Sequence, residues 1–241
     1  MAINRKGLSI IIPTFNEALN LPLLLSDLKT CDREIEIIIS DSRSTDQTEL
    51  ISKLYGTTFI NNEERNRGLQ LGEGAKISTG QWLLFIHADS RLNKDWFKRV
   101  QEIIDKDYSK ECIYYFNFKV EGFGLLMRLM ELYVFIRSKY LKTPYGDQGL
   151  LINNKTYMKN KGFNQMEIME DLDFIQRLSN KVSIRSLKIP IYINGRKWKG
   201  ENMIHKSFEN YFLRRAWKRG KEPKFIYKKY YKKDPEIDDK T

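Results

Sequence analysis

The sequence predicts an α/β fold: a mostly parallel sheet in a three-layer sandwich with a basic C-terminal extension. Three observations carry that expectation. Short apolar, β-branched runs alternate with segments of helical periodicity through the first 105 residues. The strand-like runs are apolar on both faces, as parallel strands covered by helices are. At 241 residues, with 41% hydrophobic and 30% charged side chains, the chain can bury one sizeable core and has ordinary globular composition.

Element by element, Leu8 to Pro13 is expected as a buried strand. Asn16 starts a helix to about Lys29, with Leu21, Leu24, Leu25 and Leu28 on one face. Glu34 to Ser40 is a second strand, and Ser44 with Gln47 forms a capping box for a helix ending near Tyr55. Thr57 to Ile60, a helix over Gly68 to Thr79, and a strand over Gln81 to His87 follow. Asn93 caps a further helix to about Asp105. The second half is less regular. Cys112 to Val120 is expected as a strand, Phe123 to Tyr140 as an amphipathic helix and Gln148 to Ile152 as a strand. Glu170 to Leu178 is expected to be helical, Ile184 to Ile193 extended, and His205 to Arg219 helical. Apolar periodicity fades after about Lys221. The expected organisation is therefore one domain over residues 1–220 and a basic, polar tail over 221–241.

Charge is uneven. Residues 1–180 carry 24 basic and 24 acidic side chains, while residues 181–241 carry 18 and 7, so the whole net charge of +11 lies there. A basic tail with Phe225, Tyr227, Tyr230 and Tyr231 interleaved is a solvated terminus, a contact for an anionic membrane or, least favoured, one for nucleic acid. Cys31 and Cys112 lack metal-type spacing, and no signal-like segment precedes Gly7, so reduced thiols and a cytoplasmic location are expected. The longest apolar stretch, Leu125 to Ile136, is broken by Arg128 and Glu131 and is too short to span a bilayer.

The residues with chemistry sit at element ends. No Gly-x-Gly-x-x-Gly follows the first strand; Pro13-Thr14-Phe15-Asn16-Glu17 fills that turn, which argues against a Rossmann dehydrogenase. Walker and Gly-x-Ser-x-Gly motifs are absent from the sequence. Asp41, just past the second strand, can accept hydrogen bonds from a base or ribose, or can hold a turn. His87-Ala88-Asp89 ends the strand Trp82 to Ile86. The pair is either a structural cap or a metal site, better suited to Mn²⁺ than to Mg²⁺. Met169-Glu170-Asp171-Leu172-Asp173 opens a helix, where its carboxylates complement the dipole or supply a general base. Tyr145-Gly146-Asp147-Gln148-Gly149 lines an acceptor pocket or is a polar turn. A carboxylate for a divalent cation at a strand edge, with arginines nearby, suits a diphosphate and points to a nucleotide-sugar enzyme.

From Leu8 to about Arg219 the order of these pieces resembles the glycosyltransferase family 2 enzymes of GT-A fold. The resemblance is closest to the short bacterial branch labelled radical-SAM/selenodomain-associated transferase 2. It rests on SIIIPTFNEALNLPLLL, ISDSRSTDQT, GLQLGEGAKISTGQWLLFIHADSRL, PYGDQGLLI and MEDLDF. The resemblance implies a Rossmann-like sheet, and that Pro13, Thr14, Asn16, Glu17 and Asp41 hold the nucleoside. Arg67 would lie near the base or diphosphate. His87 and Asp89 would stand for the family's Asp-x-Asp metal motif, with Asp89 its surviving carboxylate. Asp147 and Gln148 would face the sugar or acceptor, and Asp171 would be the base, supported by Glu170.

Two departures stand out: His87 at the first acidic position of the metal motif, and Arg43 where relatives carry glycine. The implied cofactor is Mn²⁺ or Mg²⁺, and the implied partner a UDP-, GDP- or dTDP-linked sugar. His205 would be a distal metal ligand or a surface residue. Arg196 and Lys197 would form a diphosphate clamp or an exposed turn. The helix over Phe123 to Tyr140 and the basic tail suggest a peripheral enzyme at the inner face of the membrane that meets a lipid-linked acceptor. The competing readings are a nucleotidyltransferase, and a non-catalytic domain that binds membrane or nucleic acid through its tail.

Overall fold

Strand β1 (Leu8–Thr14) is buried along its whole length, and its side chains divide between two cores. Ile10 and Ile12 pack with α1 (Leu21–Leu28), while Ile11 points to the opposite face with Leu71 and Ala75. This alternation, with consecutive isoleucines buried on opposite faces, is the signature of a strand covered on both sides. A computed structural model describes residues 7–31, 33–106, 111–122, 124–193, 212–217 and 219–231.

Three strands run parallel beside β1: β2 (Glu36–Asp41), β3 (Thr58–Asn61) and β4 (Trp82–Phe85). The sheet continues through β7 (Leu150–Asn153), β6 (Cys112–Val120), β8 (Ser183–Ile193) and β5 (Ser90–Leu92), in the spatial order β3-β2-β1-β4-β7-β6-β8-β5. β7 is antiparallel to both β4 and β6, β6 and β8 are parallel, and β5 runs antiparallel to β8. Helices α1 and α4 (Trp96–Lys106) cover one face, where Trp96 is fully buried beside Trp82 and Leu84. On the other face lie α3 (Arg67–Ile77), α6 (Asn154–Lys159) and α7 (Glu170–Leu178), joined by an aromatic cluster of Phe85, Tyr157, Phe163 and Phe174. The result is the expected α/β/α sandwich around a mostly parallel sheet. Helix α3 lies unusually close to β1, because a Cβ on Gly74 would meet Ile11 Cγ2 at 2.5 Å.

Element ends differ from the sequence expectation where side chains at the sheet edge compete with helix formation. Residues 15–20 form turns and α1 starts only at Leu21, because Asn16 adopts φ 54° and its amide bonds to the loop after β2. Ser44 does not cap α2 (Thr48–Leu54); its hydroxyl is engaged by Asp41 instead. β4 stops at Phe85, so His87 and Asp89 lie in the turn beyond it. The short elements β5 and α6 carried too few residues to show a period. Helix α5 (Leu125–Tyr140) packs on β6 through Val134, and α2 flanks β3.

Residues 212–217 form a helix, α8, and Pro223–Tyr231 a helix, α9. Leu213 and Ile226 are buried in a small core with Ile168, Met169 and Leu172, so packed structure continues into the segment expected as tail.

The carboxyl ends of β1 and β2 are tied from beneath by buried Gln70. Its amide donates to Thr14 O at 2.8 Å and to Ser40 O at 2.7 Å. Gln70→Ala leaves both carbonyls without that donor, and should lower the unfolding free energy by about 1–3 kcal/mol. Urea denaturation with an unchanged slope measures it, and a midpoint equal to the parent's refutes it.

Candidate active site at the carboxyl edge of the sheet

In the register of the sheet, Thr14 pairs with Asp41 and Phe85 faces Leu150. The ends of β1, β2 and β4 therefore form one rim, and the antiparallel course of β7 brings the turn before it, residues 146–149, over that rim. Open α/β sheets place their ligands at such an edge.

At the β1–β2 end the turn is held by a carboxylate. Asp41 is buried and accepts from Thr14 Oγ1 at 2.7 Å, Ser44 Oγ at 2.6 Å and the Ser44 amide at 2.7 Å. Asn16 Oδ1 accepts from the Thr45 amide at 2.9 Å. The Glu17 amide donates to Thr48 Oγ1 at 2.9 Å, while the Glu17 carboxylate accepts from Asn20 Nδ2. Pro13 lies inside β1 and is buried. Arg65 stacks on Phe15, with the guanidinium carbon 3.9 Å from the ring centre. The nucleoside candidates thus form one lobe of the rim.

The second lobe gathers around Gly146. Its amide donates to Asp171 Oδ2 at 2.6 Å, and a Cβ there would sit 2.9 Å from His87 Nε2 and 3.3 Å from Asp171 Oδ2. A Cβ here would press on the ends of both the imidazole and the carboxylate, and one of them would have to shift. Asp171 Oδ1 accepts from the Leu172 amide at 2.7 Å, so both carboxylate oxygens are oriented by backbone donors. Helix α7 begins after Met169, which takes a left-handed φ of 69°, a cost paid at functional sites more than elsewhere.

Asp147 completes the group. Its Oδ1 is enclosed and has no hydrogen-bond partner among the described residues. Burial pushes its pKa up; Arg137 and Arg214 counter that, while Asp171 and Asp89 add to it. Asp89 and Asp171 therefore act on one and the same carboxylate. Gln148 turns away: its Oε1 accepts from Arg137 Nη2 at 2.9 Å and Ser138 Oγ at 2.7 Å, and its amide donates to Phe116 O. Arg137 stacks on Tyr145 at 3.5 Å, and Arg214 approaches the same ring at 5.1 Å. Burial raises the Tyr145 hydroxyl pKa, against both guanidinium groups.

Arg67, at the start of α3, pairs through Nε with Glu170, which is fully buried. His205, Arg196 and Lys197 lie outside the described residues. Arg137, Arg214 and Ser44 were missed in the sequence: the first is one basic residue on a helix, and the second lies 67 residues beyond Asp147, with no local pattern to connect them. Neither Cys31 nor Cys112 is in a disulfide, and burial raises the Cys112 thiol pKa.

Among the described residues, no set of three or more His, Cys, Asp or Glu side chains is arranged as a metal site. The region nonetheless fits a cation that draws further ligands from a substrate. Asp89, Asp147 and Asp171 share it, and an enclosed carboxylate oxygen lacks a donor.

The model of "Glycosyl transferase family 2" matches residues 9–171, more than half the chain and both lobes of this rim. The chain belongs to glycosyl transferase family 2. A PGL/p-HBAD biosynthesis glycosyltransferase of Mycobacterium bovis is 33% identical over 115 residues, 44% of each chain. This family 2 chain thus spans less than half the length of those mycobacterial relatives. An uncharacterized glycosyltransferase of Haemophilus influenzae is 26% identical over 192 residues, 76% of this chain and 65% of its own length. Among solved structures, S. aureus TarS in complex with UDP-GlcNAc superposes with a TM-score of 0.63 at 20% identity, over 94% of this chain and 71% of that one. The mannosyltransferase PcManGT of Pyrobaculum calidifontis, in complex with GDP-Man and Mn²⁺, gives 0.67 at 16% identity, over 95% and 70%. These likenesses establish the GT-A type of fold for this family 2 member.

Burial pushes the Glu170 carboxyl up to about 7 from its ordinary 4.5; the Arg67 guanidinium opposes this and Asp171 reinforces it. The folded state therefore binds this proton more tightly than the unfolded chain between about pH 4.5 and 7. Its contribution to stability is greatest below 4.5, falls as pH rises through that window, and is flat above it. Glu170→Gln should flatten the melting temperature across the same interval; a pH profile parallel to the parent's would assign the slope elsewhere.

Proposed function

We propose that this protein transfers a sugar from a nucleoside-diphosphate donor to an acceptor hydroxyl, with inversion at the anomeric carbon. The supporting observation is the meeting at Gly146 of the His87 imidazole and the Asp171 carboxylate, next to Asp147 and at the edge that carries Thr14 and Asp41. HADSRL, PYGDQG and MEDLDF further support membership of the radical-SAM/selenodomain-associated branch.

Thr14, Asn16 and Glu17 form the nucleoside lobe. Asp41 and the buried Pro13 shape it: the Asp41 carboxylate is occupied with Thr14 and Ser44, so it holds the turn against which the nucleoside lies. Arg67, held by Glu170, would lie near the base or diphosphate. Asp147, with an unoccupied carboxylate oxygen, faces the sugar or acceptor, and Gln148 holds the turn that carries it. Asp89, with His87 beside it, would hold a divalent cation, whose chemistry is to neutralise the leaving diphosphate. Mn²⁺ accompanies the nucleotide in the PcManGT complex and in glucosyl-3-phosphoglycerate synthase of Mycobacterium tuberculosis.

Asp171 is the general base. Its carboxylate, fixed by two amide donors, takes the proton from the acceptor hydroxyl while that oxygen attacks the anomeric carbon. The bond from that carbon to the diphosphate breaks in the same displacement, and the pair of electrons leaves with the diphosphate oxygen. Asp171→Asn should cut turnover by roughly 10²–10⁴ and leave donor affinity nearly unchanged. Near-parental turnover would exclude Asp171 as the base.

A thermal-shift screen of UDP-, GDP- and dTDP-sugars with and without Mn²⁺ identifies the donor. Asp89→Ala should abolish the Mn²⁺-dependent part of that shift; persistence of the full shift removes the metal role of Asp89. Release of a nucleoside diphosphate supports the transferase, and release of pyrophosphate would make the protein a nucleotidyltransferase.

A further inference from the structure

Helix α5 turns polar side chains inward and apolar ones outward. It buries Glu131, Val134, Arg137 and Ser138, while Leu125, Leu126, Leu129, Leu132, Tyr133 and Ile136 are 44–77% exposed. At 100° per residue these six fall within an arc of about 120°, uninterrupted by charge. Tyr140 extends the arc and is 65% exposed. Arg128 and Lys139 lie along one border of it, and exposed Lys142 follows the helix. The single acid of this segment, Glu131, is buried and ion-paired to Lys119 at 2.8 Å and Arg128 at 2.5 Å.

An apolar arc bordered by cations, with tyrosines on it, matches an anionic bilayer surface. A second copy of the chain matches less well. Pairing of two α5 helices would bring Lys139 and Lys142 of one copy towards the same cations of the other, with no exposed carboxylate on the segment to offset them. The net charge of +11, which lies in residues 181–241, favours an anionic surface over a like-charged partner for the chain as a whole. No helix among the described residues is long and apolar enough to cross a membrane, so the contact is interfacial.

The inner face of α5 is a wall of the active site. Arg137 donates to Gln148 and stacks on Tyr145, at the turn that carries Gly146 and Asp147. The outward arc is thus separated from that turn by one helix thickness, about 10–12 Å. We propose that α5 docks in the surface of an anionic bilayer and presents this turn to an acceptor hydroxyl carried by a lipid. The lipid-borne acceptor rests on the glycosyltransferase reading above; the docking surface does not.

Sedimentation of the full chain with phosphatidylglycerol/phosphatidylcholine vesicles tests docking. The parent should bind, and bind more weakly in pure phosphatidylcholine or high salt. Leu129→Ser/Ile136→Ser should bind at least about tenfold more weakly. Leu54→Ser, which alters a leucine 74% exposed on α2, should bind like the parent. Both variants should keep the parental melting temperature and the same donor hydrolysis without vesicles. Unchanged vesicle binding by the double variant would overturn the proposal. So would a parental dimer that binds no vesicles and that the double variant dissociates. If the parent hydrolyses no nucleotide sugar, the transferase reading falls while the vesicle result still decides the docking.

Discussion

The arrangement of the site depends on the approach of two chain segments to a third, the turn at Gly146. The turn after β4 brings His87, the start of α7 brings Asp171, and both side chains come within contact of a position where any Cβ would intrude. The sheet makes this possible. Because β7 runs antiparallel to β4 and Leu150 faces Phe85, the chain that enters β7 must cross the end of β4. A parallel strand there would have delivered its carboxyl end instead and sent the Tyr-Gly-Asp-Gln turn elsewhere.

Such an approach concentrates negative charge. Asp89, Asp147, Glu170 and Asp171 crowd one end of the molecule, and the fold answers with arginines brought from distant segments: Arg67 from α3, Arg137 from α5, Arg214 from α8. The compensation is incomplete. Burial still dominates at Glu170 and Asp147, and both are pushed towards the protonated form. An arrangement selected for stability alone would not keep an enclosed carboxylate oxygen without a donor, or a left-handed methionine at the head of α7.

The sandwich was legible in the sequence because its signal is local. Runs such as Ile10-Ile11-Ile12 and Trp82-Leu83-Leu84-Phe85 are apolar at every position, and only a doubly covered strand buries them all. The boundaries were less legible, since they are set by contacts between segments. Asn16 and Ser44 look like helix starters, yet each spends its hydrogen bonds across the β1–β2 edge. Asp41, His87, Asp89 and Asp171 could be picked out because they stand at or just beyond the ends of recognisable elements. Arg137 and Arg214 could not, because what they touch is decided only when α5 and α8 settle around Tyr145. The depth of Ile226 in the core beside Leu172 was likewise hidden, because α9 is short and strongly basic.

Helix α5 illustrates how a site constrains a surface. Its sequence is amphipathic, and apolar stripes ordinarily face the core. Two polar contacts oppose that rotation. Glu131 accepts from the Val120 amide and pairs with Lys119, and Arg137 reaches Gln148 and Tyr145; both sets of partners lie on the side of β6 and the active-site turn. Turning the leucines inward would leave a buried strand amide without its acceptor and strip the guanidinium from beside Asp147, where it offsets the crowded acids. The leucines are therefore held outward by the same contacts that build the site. Exposure of so many large apolar side chains in one arc is unfavourable in water, and that cost is relieved only where something other than water meets the helix.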